Sequence, residues 1–146
     1  MIEYKKIISS CDGESQLEMY ITADMLDGGF FVGWPNPPTA AAHLRVLEGS
    51  YAALVAVDTA SNKVVGFINA VSDGVMAAYI PLLEVLPEYQ GRGIGKELVS
   101  RMLESLTHLY MVDLLCDEDM QGYYAKFGMH KATGMFVRNH NRQGCD

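Results

Sequence analysis

Within Gln90-Gly91-Arg92-Gly93-Ile94-Gly95-Lys96, glycines alternate with two cations directly ahead of an apolar period, a combination that can hold a polyanion. The preceding stretch, Ala78 to Val85, is apolar enough for a strand. Downstream, Ile94, Leu98, Val99, Met102, Leu103 and Leu106 share one helical face. The order is strand, glycine-rich turn, amphipathic helix. No Ser, Thr, Asp or Asn lies between Pro87 and Val99, so the helix lacks an ordinary side-chain N-cap. Its first N–H groups have no local partner. Arg92 and Lys96 add positive charge at the positive end of the helix dipole, the wrong sign for an empty helix start. A bound anion resolves both features; the other reading is a solvated helix start with glycines for a tight turn.

Spacing eliminates two common nucleotide loops. A P-loop needs Ser or Thr after Gly95-Lys96, where Glu97 stands. A dinucleotide fingerprint begun at Gly91 would need glycine at Lys96, and one begun at Gly93 would need it at Leu98.

Gln-x-x-Gly-x-Gly does fit, and here the sequence resembles the GNAT acetyltransferase superfamily. The matching segment is Leu83-Glu84-Val85-Leu86-Pro87-Glu88-Tyr89-Gln90-Gly91-Arg92-Gly93-Ile94-Gly95-Lys96. A second match is Gly122-Tyr123-Tyr124-Ala125-Lys126-Phe127-Gly128-Met129, similar to the family's Phe-Tyr-x-Lys-x-Gly-Phe segment with Tyr for the first Phe and Met for the last. The resemblance covers roughly residues 50 to 138, and more loosely the whole chain. It implies that Gln90, Gly91, Arg92, Gly93, Ile94, Gly95 and Lys96 hold the pyrophosphate of acetyl-coenzyme A (acetyl-CoA). It implies too that the main chain around Leu83 and Val85 pairs with the pantetheine arm, a strand addition by a ligand.

The implied chemistry is acyl transfer from a thioester to an amine. The amine must lose a proton before attack, since an alkylammonium has a pKa near ~10. The thioester oxygen needs a donor as it gains charge, and the leaving thiolate benefits from a proton. Tyr124 occupies the family's general-acid position; Tyr123 reads as packing. Asp117 stands where many members carry Asn: it orients a water, receives the amine's proton or caps the next helix. Glu84 alternates with Leu83 and Val85 and so faces a different environment. It is the candidate base, against a half-exposed strand acid, with Tyr79, Asp73 or a water chain as other options. Phe31, Trp34 and Tyr79 are candidate acceptor-binding residues, with Met135-Phe136 opposite. The set Gly33-Trp34-Pro35, Ser50-Tyr51, Ser72-Asp73 and the glycine loop is similar to plant-type arylalkylamine (serotonin) acetyltransferases.

The elements that must position these residues follow in order. Glu3 to Ser9 reads as a strand and Glu14 to Leu26 as a helix broken by Gly28-Gly29. Phe30 to Pro38 is an aromatic, proline-stiffened loop, and Thr39 can cap a helix to about Glu48. Tyr51 to Val57 and Val64 to Val71 are strands joined by a turn. Pro81 inside the strand ahead of the glycine loop implies an edge, a bulge or a local separation. Leu109 to Leu115 is a strand, Met120 to Phe127 a helix and Thr133 to Arg138 a last strand. This order fits an α/β fold. The resemblance implies a GNAT-like fold, a mixed and mostly antiparallel sheet with helices on both faces, as one domain over residues 1–146.

With 146 residues the chain is about one domain's worth. Cys11, Cys116 and Cys145 form no zinc pattern, and Cys116 reads as a buried small hydrophobe. The four histidines are scattered, read as surface or boundary residues, and no metal site is expected. A formal net charge of −7 argues against general nucleic-acid binding. No leader and no membrane-spanning run is seen, so no membrane association is expected and the cytoplasm is the default location. The reading is an acetyl-CoA-dependent N-acetyltransferase acting on a primary amine by direct attack in a ternary complex, as a monomer or homodimer. A catalytically silent acyl-CoA-binding sensor or regulatory protein is the alternative.

Overall fold

The computed structural model describes residues 1–7 and 20–145. Strands β1 (Ile2–Ile7), β2 (Ala52–Asp58), β3 (Lys63–Ser72), β4 (Ala77–Val85) and β5 (Met111–Asp113) form one sheet in sequential order. The first four pair antiparallel, and β5 pairs parallel to β4. This is the mixed, mostly antiparallel sheet expected. β2 and β3 run almost unbroken through buried residues, from Ala52 to Val57 and from Val64 to Ala70. Such runs belong to strands covered on both faces.

Helix α1 (Ala40–Glu48) covers one face. Thr39 starts it as expected, its Oγ1 accepting from the Ala42 amide at 3.1 Å. Helix α2 (Ile94–Ser105) covers the other through Ile94, Leu98, Val99 and Met102. Gly66 lets α2 approach β3 closely, since a Cβ there would lie 3.2 Å from Ile94 and Leu98 side-chain atoms.

Several sequence expectations change. The Glu14–Leu26 helix and the end of the first strand lie mostly outside the described residues; within them only a 3₁₀ turn, Ala23–Leu26, is formed. The strand expected over Leu109–Leu115 contracts to β5. The helix expected over Met120–Phe127 is a 3₁₀ turn, Glu118–Met120, followed by the short α3 (Gln121–Ala125). The strand expected at Thr133–Arg138 is not formed: that segment makes no backbone ladder, and its approach to the sheet is Gly134 against the Leu115 side chain. Strand composition alone does not bring a segment into the ladder. Cys116 is exposed, because it lies beyond the contracted β5.

His43 is the largest departure, for it is 1 % exposed rather than a boundary residue. The helical period puts Ala42, His43 and Leu47 toward the sheet. The ring packs against Phe67 at 4.3 Å, Phe31 at 4.9 Å and Phe30 at 5.3 Å between centroids. Burial lowers its pKa from 6.5 to about 4, so the imidazole is neutral near pH 7. Between those values the unfolded chain binds a proton that the folded chain does not. Stability should therefore be complete above about pH 6.5 and fall by about 3 kcal/mol as pH drops to about 4. Urea midpoints measured between those limits should show this slope, and His43→Leu should flatten it. An unchanged slope in the variant would remove His43 as its source.

Candidate active site

The glycine loop emerges where β4 loses a neighbour. β5 pairs with β4 only at Ala77–Tyr79, so the rest of that edge is open. Opposite, β3 stays paired, with one irregularity: Ile80 and Pro81 together face Ala70 between the pairs Asn69–Leu82 and Val71–Tyr79. Pro81 thus sits in a bulge, one of the outcomes expected from its missing donor. The Leu86 amide donates to the Val65 carbonyl on the β3 side at 2.9 Å. Alternation then turns the main-chain groups of Leu83 and Val85 toward the open edge. Gln90 Nε2 donates to the Val85 carbonyl at 3.0 Å from that side.

Beyond Gln90 the chain makes two left-handed residues, Gly91 at φ 75° and Gly93 at φ 81°. Gly93 is the N-cap of α2 and supplies no side-chain cap. Among the described residues, none of the six amides from Gly91 to Lys96 donates a hydrogen bond; the first to do so is Glu97, to the Gly93 carbonyl at 3.0 Å. Successive N–H groups at a helix start form an anion-binding concavity. A Cβ at Gly91 or Gly93 would meet no atom within 4 Å, so the cradle is open. Arg92 donates to the Glu88 carbonyl at 2.9 Å and lies over the Tyr89 ring. The Tyr89 hydroxyl donates to Asp58 at 2.8 Å, anchoring the loop to the end of β2.

α3 lies against this cradle. A Cβ on Gly95 would be 3.3 Å from the Tyr123 hydroxyl, a proximity that sequence reading, which treated Tyr123 as packing, did not reveal. The Tyr123 ring also packs on Tyr124 at 5.1 Å and Phe127 at 5.3 Å. Tyr124 is half-buried, and desolvation, helped by Tyr123 and Cys116, pushes its pKa up to about 12. Its hydroxyl therefore keeps a proton at neutral pH. Tyr124 also lines a shallow cleft with Leu114, Cys116, Gln121, Met129 and His130. Asp117 is exposed and starts the following 3₁₀ turn with its carbonyl, not with its carboxylate.

Glu84 lies across β3 from Phe67, on the α1 face, while Gly66 and its neighbour Val85 face α2. Its carboxylate accepts from the amides of Phe31 at 2.8 Å and Val32 at 3.2 Å. Phe31 has φ 64°, a strained conformation for a non-glycine residue. Its ring is buried against Trp34, His43 and Phe67. Trp34 is 39 % exposed, so the outward aromatic surface of this loop is Trp34 rather than Phe31. Tyr79 is half-buried and pairs across β3 with Val71, projecting to the same face as Glu84. Asp73 accepts from the amides of Val75, Met76 and Ala77 and shapes the β3–β4 turn; these bonds hold its pKa below the usual value.

Sequence reading also passed over Asn69, which is 1 % exposed on β3. Its Nδ2 donates to Ser50 Oγ at 3.0 Å, and Ser50 donates to the Val46 carbonyl at 2.7 Å, tying β3 to α1. An Asn within an apolar run was the available signal. Among the described residues, no three His, Cys, Asp or Glu side chains are grouped to hold a metal, and no helix is long and apolar enough to cross a membrane.

An open strand edge thus leads into a row of unpaired amides, with the Tyr123 hydroxyl beside it. In comparison with known proteins, the model of the acetyltransferase (GNAT) family matches residues 19–129. The chain belongs to that family and is an acyltransferase. It is similar to the uncharacterized N-acetyltransferase ycf52 of Pyropia yezoensis, at 28% identity over 92% of this chain and 79% of that one. It is also similar to GCN5-related N-acetyltransferase 3, chloroplastic, of Arabidopsis thaliana, at 35% identity over 58% of this chain and 39% of that one. Among solved structures, a Deinococcus radiodurans R1 protein assigned as an acetyltransferase superposes with TM-score 0.85 at 39% identity, covering 98% of this chain and 92% of its own. A GNAT family acetyltransferase of Streptococcus pneumoniae TIGR4 gives 0.70 at 30% identity, with 95% and 98% covered.

Proposed function

We propose that this protein transfers an acetyl group from acetyl-CoA to a primary amine by direct attack, with both substrates bound together. The row of free amides from Gly91 to Lys96, continuous with the open edge at Leu83 and Val85, carries this reading. The amides, with Arg92 and Lys96, fit a pyrophosphate in both charge and hydrogen-bond polarity. The edge groups of Leu83 and Val85 fit an extended amide arm. Acetyl-CoA supplies an activated acyl carbon on a thiol leaving group.

Tyr124 gives its proton to the departing sulfur as the carbon–sulfur bond breaks and the new carbon–nitrogen bond forms. Glu84 takes the ammonium proton through water, its two amide bonds holding the carboxylate toward the acceptor side. Asp117, whose carboxylate forms no hydrogen bond among the described residues, is the second proton acceptor. Trp34 and Tyr79 form the acceptor wall with Phe31 beneath, which suits an aryl or alkyl amine. For the compartment we propose the cytoplasm; two Arabidopsis thaliana relatives are named chloroplastic, and a fluorescent fusion distinguishes the two locations.

The test is calorimetric titration with acetyl-CoA, with dephospho-coenzyme A and ATP as comparisons. Saturable binding that prefers acetyl-CoA, followed by thiol release with an amine panel, is expected. No binding at millimolar ligand by folded protein would refute the reading. Glu84→Gln should lower kcat/KM at neutral pH by about tenfold or more while leaving acetyl-CoA affinity within a few-fold. A variant with wild-type kcat/KM would leave Glu84 as a loop clamp only.

A further inference from the structure

His43 is a buried titratable group that the proposed chemistry leaves unused. Its ring lies among Phe30, Phe31 and Phe67, and its Nε2 has no hydrogen-bond partner among the described residues. A buried polar atom left unmatched costs stability. An aliphatic side chain would therefore suit the position better if filling space were its whole role. The imidazole also meets the Phe31 ring edge to face, with 68° between the planes.

Phe31 is the strained point of its loop. It is a non-glycine residue at φ 64°, set between Gly29 at φ 92° and Gly33 at φ 81°. Such a backbone persists only where its surroundings over-determine it. Two sets of contacts do so. The ring is enclosed by His43, Trp34 and Phe67. The left-handed turn aims successive N–H groups the same way, and both reach Glu84. The Phe31 amide donates to Oε2 and the Val32 amide to Oε1, so the carboxylate is held in one orientation. Ring and donor belong to one residue, and a shift of the first moves the second.

We propose that His43 is a positioning residue: by holding the Phe31 ring it keeps the amides of Phe31 and Val32 on Glu84, and so fixes how that carboxylate meets the acceptor amine. The contacts run from α1 through the loop to β4. The catalytic consequence rests on the acetyl-transfer reading with Glu84 as proton acceptor; the placement of the amides does not.

Hydrogen exchange without substrate tests the placement, in His43→Leu and His43→Gln checked as folded by circular dichroism. The Phe31 and Val32 amides should exchange about tenfold faster than in wild type, while those of β2 and β3 keep their protection. Kinetics test the consequence. For the amine, kcat/KM should fall about fivefold or more, with the acetyl-CoA dissociation constant within about twofold of wild type. In a Glu84→Gln background the same substitutions should cost less than about twofold further, because the group they position is already gone. A loss with a merely structural origin would add in full. Unchanged exchange at both amides would overturn the proposal, as would wild-type kcat/KM in both His43 variants or losses that add to that of Glu84→Gln. Wild-type protein that binds no acetyl-CoA, or wild-type kcat/KM in Glu84→Gln, would instead fault the transfer reading, and exchange alone then decides the placement.

Discussion

Tyr124→Phe should lower kcat about a hundredfold while leaving the acetyl-CoA dissociation constant within a few-fold of wild type. The substitution removes the hydroxyl alone and keeps the ring that packs on Tyr123. The wild-type phenol has its pKa near 12, so it retains its proton throughout the working pH range. Such a phenol is available as a hydrogen-bond donor to the thiolate charge that develops as the carbon–sulfur bond breaks. The loss should therefore appear in kcat and not in ground-state binding. Single-turnover thiol release, with both substrates saturating near pH 7, isolates this step. An unchanged rate would remove Tyr124 from the mechanism. A parallel loss of affinity would instead mark it as a structural support for α3.

Gly93→Val should weaken acetyl-CoA binding on the order of a hundredfold, corresponding to one or two charge-assisted hydrogen bonds. Two causes act together. At φ 81° a β-branched residue is strained and should shift the loop, disturbing the alignment of the amides around it. The space beside Gly93 is open to solvent in the protein itself, so the added side chain meets no neighbour there and occupies the approach of an anion. The fold should survive, because α2 is held by Leu98, Val99 and Met102 rather than by its first residue. Calorimetry on the folded variant decides the matter. Native affinity would show that the cradle does not receive the pyrophosphate. Gly91→Ala, also at positive φ, provides a smaller change of the same kind.

What could be read from the chain was what depends on near neighbours. Thr39 starts α1 because a hydroxyl reaches an amide three residues on. The missing cap ahead of α2 is a statement about residue types between Pro87 and Val99, and the free amides follow from it. Pro81 announced an irregularity because it lacks a donor, and Glu84 was separated from Leu83 and Val85 by the two-residue period of a strand. The family motif, the alternating strands and the glycine loop are all short-range information of this kind.

The remainder was decided by contacts distant in sequence. Glu84 holds the amides of Phe31 and Val32 more than fifty residues away, a bond no spacing rule encodes. His43 read as a surface or boundary residue, yet the facing Phe67 and the Phe30–Phe31 turn made a neutral, buried ring the member that fits. Thr133–Arg138 has a strand's composition, yet among the described residues it joins no ladder. By itself the sequence determined the central strands, α1 and α2, the uncapped glycine loop and the family. Tertiary structure decided which groups meet and which remain unpaired, because burial and hydrogen-bond satisfaction are properties of neighbours in space and not along the chain.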